Sequence, residues 1–147
     1  MSAEPSARLL DVTRLVRRAR RGTLTGIDRV ELAYLDHFVD AEVPAFGLVR
    51  TKFGYLLLDR AGLRGFASVL REASSSPILW IALRHWAIAR SLPQLLGRML
   101  RRHLPWGSEY FNVGHSNLTN RVFAAVRSVP GSRFPVPGSR FPVRASR

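Results

Sequence analysis

"LLDVTRLVRRARRGTLTGIDRVELAYLDHF", residues 9–38, decides the fold. Its opening, 9–13, reads as a short buried strand. Arg14, Arg17, Arg18, Arg20 and Arg21 follow and read as an exposed basic segment. Thr25 then caps a helix, with Asp28 three residues later in the manner of a capping box. Ile27, Val30, Tyr34 and Phe38 fall on one helical face. Leu32, Leu35 and Val39 widen that face, while Arg29 and Asp36 lie opposite. A helix this broadly apolar packs against a sheet. A strand, a small-residue turn and a helix N-terminus together form an arrangement that holds a phosphate or an anionic sugar, through free N–H groups and the positive end of the helix dipole. Gly26 lets such a ligand approach the backbone closely. One glycine is not a G-x-G-x-x-G pattern, and an ordinary capped connection accounts for the same residues.

The pattern continues in kind. Residues 43–49, "VPAFGLV", and 53–58, "FGYLLL", read as strands, with Pro44 at a strand start where its missing N–H does least harm. A helix is expected over 61–72, ended by "SSSP" at 74–77. Another is expected from Ile78 to about Ser91. Pro93 opens a further helical segment, with Leu92, Leu95, Leu96 and Met99 on one stripe and Arg98, Arg101 and Arg102 on the other. That stripe suits either packing on a sheet or lying in a membrane interface. "EYFNVGHSN", 109–117, reads as a strand running into a loop, and Asn117 or Thr119 caps a last helix over 120–127. Strands alternating with helices predict an α/β domain: a partial Rossmann-like unit with a short, mostly parallel sheet flanked by helices. In such a sheet, residues just past a strand's C-terminal end line the ligand crevice. Gly114 and His115 fall there. His115 is a candidate base or sugar-hydroxyl partner, or a histidine bonded within a turn.

Residues 1–7 read as a flexible leader and 8–127 as the domain. The remainder, 128–147, contains "VPGSRFP" twice in tandem, at 129–135 and 136–142. Two copies are too few for a solenoid. With fixed Pro and Gly and no acidic group, this tail is expected to be disordered.

Charge is uneven. Lys plus Arg number 23 against 10 Asp plus Glu, a formal net charge of +13. All the basic residues but Lys52 are arginine. Residues 1–72 carry net +3 and residues 73–147 net +10, with Glu109 the lone acid of the second half. Such an excess implies an anionic partner: membrane lipid, nucleic acid or a phosphorylated ligand. The arginine run lacks the interleaved aromatics that stack on single-stranded bases, and no zinc or helix-turn-helix pattern supports duplex binding. Cysteine is absent, so disulfides and thiolate metal sites are excluded. Neither a metal nor a cofactor is expected. The longest apolar run, "PILWIAL", is far shorter than the roughly 20 residues of a membrane span. The expected location is cytoplasmic, with contact at the inner face of a membrane as an option.

Two stretches carry a resemblance. "LLDVTRLVRRARRGTLTGIDRVELAYLDHF" resembles the start of bacterial retaining glycosyltransferases of the group-one type, which have two Rossmann-like domains (the GT-B fold). Members tend to open with an apolar strand ending in Asp, then a variable basic loop, T-G-I-D/G-R and a hydrophobic helix. "YFNVGHSNL…FAAVR" resembles a later Y-L-N-V-G-H element of the same domain. The likeness spans about 8–127 and is loose over 50–105. It implies an acceptor-side domain working beside a second domain that binds a nucleotide-sugar donor. Thr25 and Gly26 then face the donor's phosphates, and Gly114 and His115 lie at the cleft. The implied acceptor is a sugar or a lipid-linked sugar. Nothing in the chain matches the donor domain's paired glutamates. The expectation is a truncated glycosyltransferase, inactive alone and lacking its C-terminal domain. The other expectation is a small basic protein that binds anionic lipid or nucleic acid.

Overall fold

In the computed structural model, which describes residues 4–21, 26–71, 78–112 and 119–134, strand β1 (Arg8–Asp11) lies inside a five-stranded sheet. Strand β2 (Ala45–Arg50) runs parallel on one side of it and β5 (Glu109–Phe111) runs parallel on the other. Beyond β2, strands β3 (Tyr55–Leu58) and β4 (Ala87–Ser91) add antiparallel, giving the order β4-β3-β2-β1-β5. The chain is therefore α/β with a mixed sheet. The parallel part is the β2-β1-β5 unit.

Alternation along each strand builds two cores. Leu10, Val49, Leu58 and Phe111 face one way, onto helices α1 (Thr13–Arg21), α2 (Gly26–Asp40), α3 (Arg60–Arg71) and α4 (Ile78–Trp86). Leu9, Leu48, Leu57 and Tyr110 face the other way, onto α5 (Leu96–His103) and α6 (Asn120–Arg127). Thr119 caps α6 by accepting a hydrogen bond from the Val122 N–H at 3.2 Å.

Several local expectations are corrected. The arginine run is a helix, not a loop. Arginine is a good helix former, and Leu15, Val16 and Ala19 give the run a buried stripe. The expected face of α2 holds at Leu35, Phe38 and Val39 but not at Val30. Val30 is 45% exposed, whereas Asp28 and Glu31 face inward because Arg14 and Arg18 meet them there. The helix starting at Ile78 stops at Trp86. The next five residues form β4, since Tyr55 and Leu56 of β3 offer a pairing edge to Ser91 and Arg90. Leu92 and Leu95 are exposed. The buried stripe of α5 is Leu96, Met99 and Leu100.

The domain also runs past Arg127. Val129 is buried. Pro130 and Gly131 occupy the central positions of a turn closed by Ser132 N–H donating to the Val129 carbonyl at 3.1 Å. Gly131 has φ +73°, the left-handed value that a type II turn with Pro at its second position demands of its third. Arg133 then lines the outer edge of β5, donating to the Ser108 carbonyl and accepting from Tyr110 N–H, each at 3.0 Å. Phe134 packs on Tyr110 and Phe123, with centroids 5.6 and 4.6 Å away. The first heptapeptide is thus part of the fold through Phe134; residues 135–147 lie outside the described residues.

A chain ended after Arg127 should therefore be less stable to urea than one ended after Phe134, by about 2–4 kcal/mol, as expected for losing a buried Val and a packed Phe. Equal midpoints would show that the first heptapeptide adds nothing.

Candidate functional site

Three parallel strands end together, and one small knot ties their ends. Asp11, the last residue of β1, is 3% exposed. One carboxylate oxygen accepts from Thr13 N–H at 3.0 Å, and the other from the Tyr110 hydroxyl of β5 at 2.9 Å. Asn112 donates to that same hydroxyl at 3.2 Å. Thr13 Oγ1 accepts from the backbone N–H of Arg50, at the end of β2, at 2.9 Å. Burial raises the Asp11 pKa; the bonds from Thr13 and Tyr110 and the charge of Arg50 offset part of that rise. Burial likewise pushes the Tyr110 hydroxyl well above the ordinary phenol range, helped by Asp11, so it stays a donor.

Beside the knot, Arg14 Nη1 bridges Asp28 and Glu31 at 2.7 and 2.9 Å, and Arg18 Nε reaches Asp28 at 3.2 Å. Both carboxylates are buried and satisfied by charged donors. This cluster clamps α1 to α2 and is structural. Replacing Arg14 with Ala would leave two buried carboxylates short of their partner. Breaking such a group costs about 3–5 kcal/mol.

A second set of cations lies outside this clamp. Arg17, Arg50, Lys52, Arg84 and Arg121 line a cleft of about 750 Å³ together with Thr51, Phe53 and Thr119. None of the five takes part in an ion pair among the described residues. No carboxylate is among the described residues that line it. The cleft lies against the C-terminal end of β2. The strand order reverses direction around β1, which has β2 on one side and β5 on the other. Open α/β sheets bind ligands at such places.

The residues singled out from sequence fare unequally. Gly26 is the exposed first residue of α2, and a side chain added there would meet nothing within 4 Å. It fits an open approach but is not demanded by packing. Thr25, Gly114 and His115 lie outside the described residues. Sequence reading missed Arg50, Lys52, Arg84 and Arg121, because they come from the end of β2 and its turn, from α4 and from α6, far apart in the chain. The one local signal was "TKFG", 51–54, a turn in which Thr51 Oγ1 accepts from Phe53 and Gly54 N–H at 3.2 and 3.1 Å.

Among the described residues, no group of three or more His, Asp or Glu side chains could hold a metal ion, and no helix is long and apolar enough to cross a membrane. The chain matches no known family, no curated protein and no solved structure.

At the other end of the sheet, Glu109 of β5 sits in register with Arg8 of β1. Glu109 Oε1 and Arg8 Nε are both buried without a hydrogen-bond partner. Burial pushes the Glu109 carboxyl up to about 7 from 4.5, against the opposing pull of Arg133 and Arg8. The folded state thus holds its proton more tightly than the unfolded chain does. The resulting stability is full below about 4.5 and is lost as pH rises through about 7. The raised pKa values of Asp11 and Glu31 act in the same direction. The thermal midpoint should fall between pH 5 and pH 8, and Glu109→Gln should flatten that fall. An unchanged pH slope in the variant would remove Glu109 from this account.

Proposed function

We propose that this chain is a binding domain for a phosphate-bearing ligand, held in the basic cleft at the strand ends. The carrying observation is the convergence of Arg17, Arg50, Lys52, Arg84 and Arg121 on one cleft with no acid among its described lining residues. Guanidinium forks match phosphate oxygens two at a time, and concave walls of one charge strengthen the attraction. The nearby acids do not compete, because Asp11, Asp28 and Glu31 already accept hydrogen bonds.

The resemblance to group-one glycosyltransferases supports the same reading from another side. In that reading the domain is the acceptor-side half, and the phosphate belongs to a nucleotide-sugar donor or a phosphorylated acceptor. Sugar transfer needs both reactants held in one geometry. On that reading the isolated chain is expected to bind without turnover.

Pyrophosphate is the simplest probe. It should bind at low salt and weaken steeply as salt rises. Arg50→Ala combined with Arg121→Ala should weaken binding at least tenfold, while Arg98→Ala with Arg101→Ala should change it less than threefold. Equal losses in the two pairs would mean that net charge alone attracts the anion, and the reading would fail. Release of free sugar or its transfer from nucleotide-sugars by the purified chain would instead establish an enzyme.

A further inference from the structure

The basic cleft does not end at its cations. A second groove, of about 770 Å³, continues from it and shares Thr51, Phe53, Gly54, Tyr55 and Arg84 with it. Its lining changes character. Leu56, Ala89, Leu92, Leu95 and Met99 supply apolar surface, and Arg90, Arg98 and Arg102 join the lining. Three of its large apolar groups stand in water: Phe53 is 70% exposed, Leu92 59% and Leu95 42%. Single exposed apolar residues are ordinary, but three converging on one groove are not.

The junction is built into the backbone. Thr51 N–H donates to the Gly54 carbonyl at 2.7 Å, closing the turn between β2 and β3. Gly54 has φ +154°, and a side chain there would collide with the Ser91 carbonyl oxygen at the end of β4. The turn is therefore pressed against the sheet edge, and only glycine permits it. Phe53 is thereby lifted to the rim, where it lines both grooves.

We infer that the ligand is an amphiphile carrying a phosphate head and an aliphatic chain, bound as a single molecule with its head among the five cations and its chain along Phe53, Leu92 and Leu95. This deepens the phosphate reading and rests on it. A polar sugar phosphate would leave the second groove unused. A purely apolar ligand would leave the cations unmatched. Continuity of the two around one turn suits a molecule with both parts. Burying a methylene is worth about a fourfold gain in affinity when burial is complete, so even a partly covered chain gives a measurable increment.

The test compares methyl phosphate with dodecyl phosphate, the latter kept below its micelle concentration, on the 147-residue chain. Dodecyl phosphate should bind at least tenfold more tightly. Leu92→Asn with Leu95→Asn should abolish that gain and leave methyl phosphate affinity within threefold; both positions are exposed, so the fold is retained. Gly54→Ala, which distorts the junction, should also reduce the gain. Equal affinity for the two phosphates would overturn the inference while leaving the phosphate reading intact. Failure of both to bind would overturn both. Equal binding of dodecyl maltoside would show a merely greasy groove and overturn the inference. So would binding confined to phosphatidylglycerol vesicles with none to monomeric dodecyl phosphate, which would assign the surface to a bilayer.

Discussion

The buried Asp11 carboxylate is the constraint on which the rest of the molecule depends. It is kept in the interior with a donor on each oxygen, from Thr13 on the same chain segment and from Tyr110 on the neighbouring strand. Those two bonds fix where β1 ends and where α1 begins. The Thr13 hydroxyl passes the constraint to β2 through the Arg50 N–H. Three strand ends are thus aligned by one carboxylate and one hydroxyl. Four of the five cleft cations hang from that alignment: Arg17 from α1, Arg50 and Lys52 from the end of β2 and its turn, and Arg121 from α6.

Charge is sorted into two roles by burial. Arg14 and Arg18 point inward and meet Asp28 and Glu31, which brings two acids to the buried side at the start of α2 and leaves Val30 exposed. Arg17, between them in sequence, points outward into the cleft. The same basic run therefore clamps two helices and arms a site. At the far end of the sheet, Arg8 and Glu109 sit in adjacent strands with unsatisfied atoms, and Arg8 lies over the Phe38 ring at 5.1 Å. That end contributes packing and a pH dependence of stability rather than an opening for ligand.

Much of the fold was legible because it is local. The strand at 9–11, the helix after Gly26, the helix over 60–71 and the Thr119-capped helix all carry periodicity or caps within a few residues. What escaped was decided by partners distant in sequence. Ala87–Ser91 has weak strand character and becomes β4 only because β3 needs an edge partner. The first heptapeptide is expected to be disordered, yet its Pro-Gly turn delivers Arg133 and Phe134 to the outer edge of β5. The site was legible in outline only. A ligand crevice at strand ends follows from α/β alternation, but its cations come from separate elements, and no spacing rule groups Arg50 with Arg121.

The most direct test of this account is an amide chemical-shift map of the isotope-labelled chain titrated with pyrophosphate. Saturable shifts centred on Thr13, Arg50, Thr51 and Arg121, where the knotted strand ends meet the cleft, are expected. Shifts confined to 98–103 or to β4, with the strand ends silent, would contradict it.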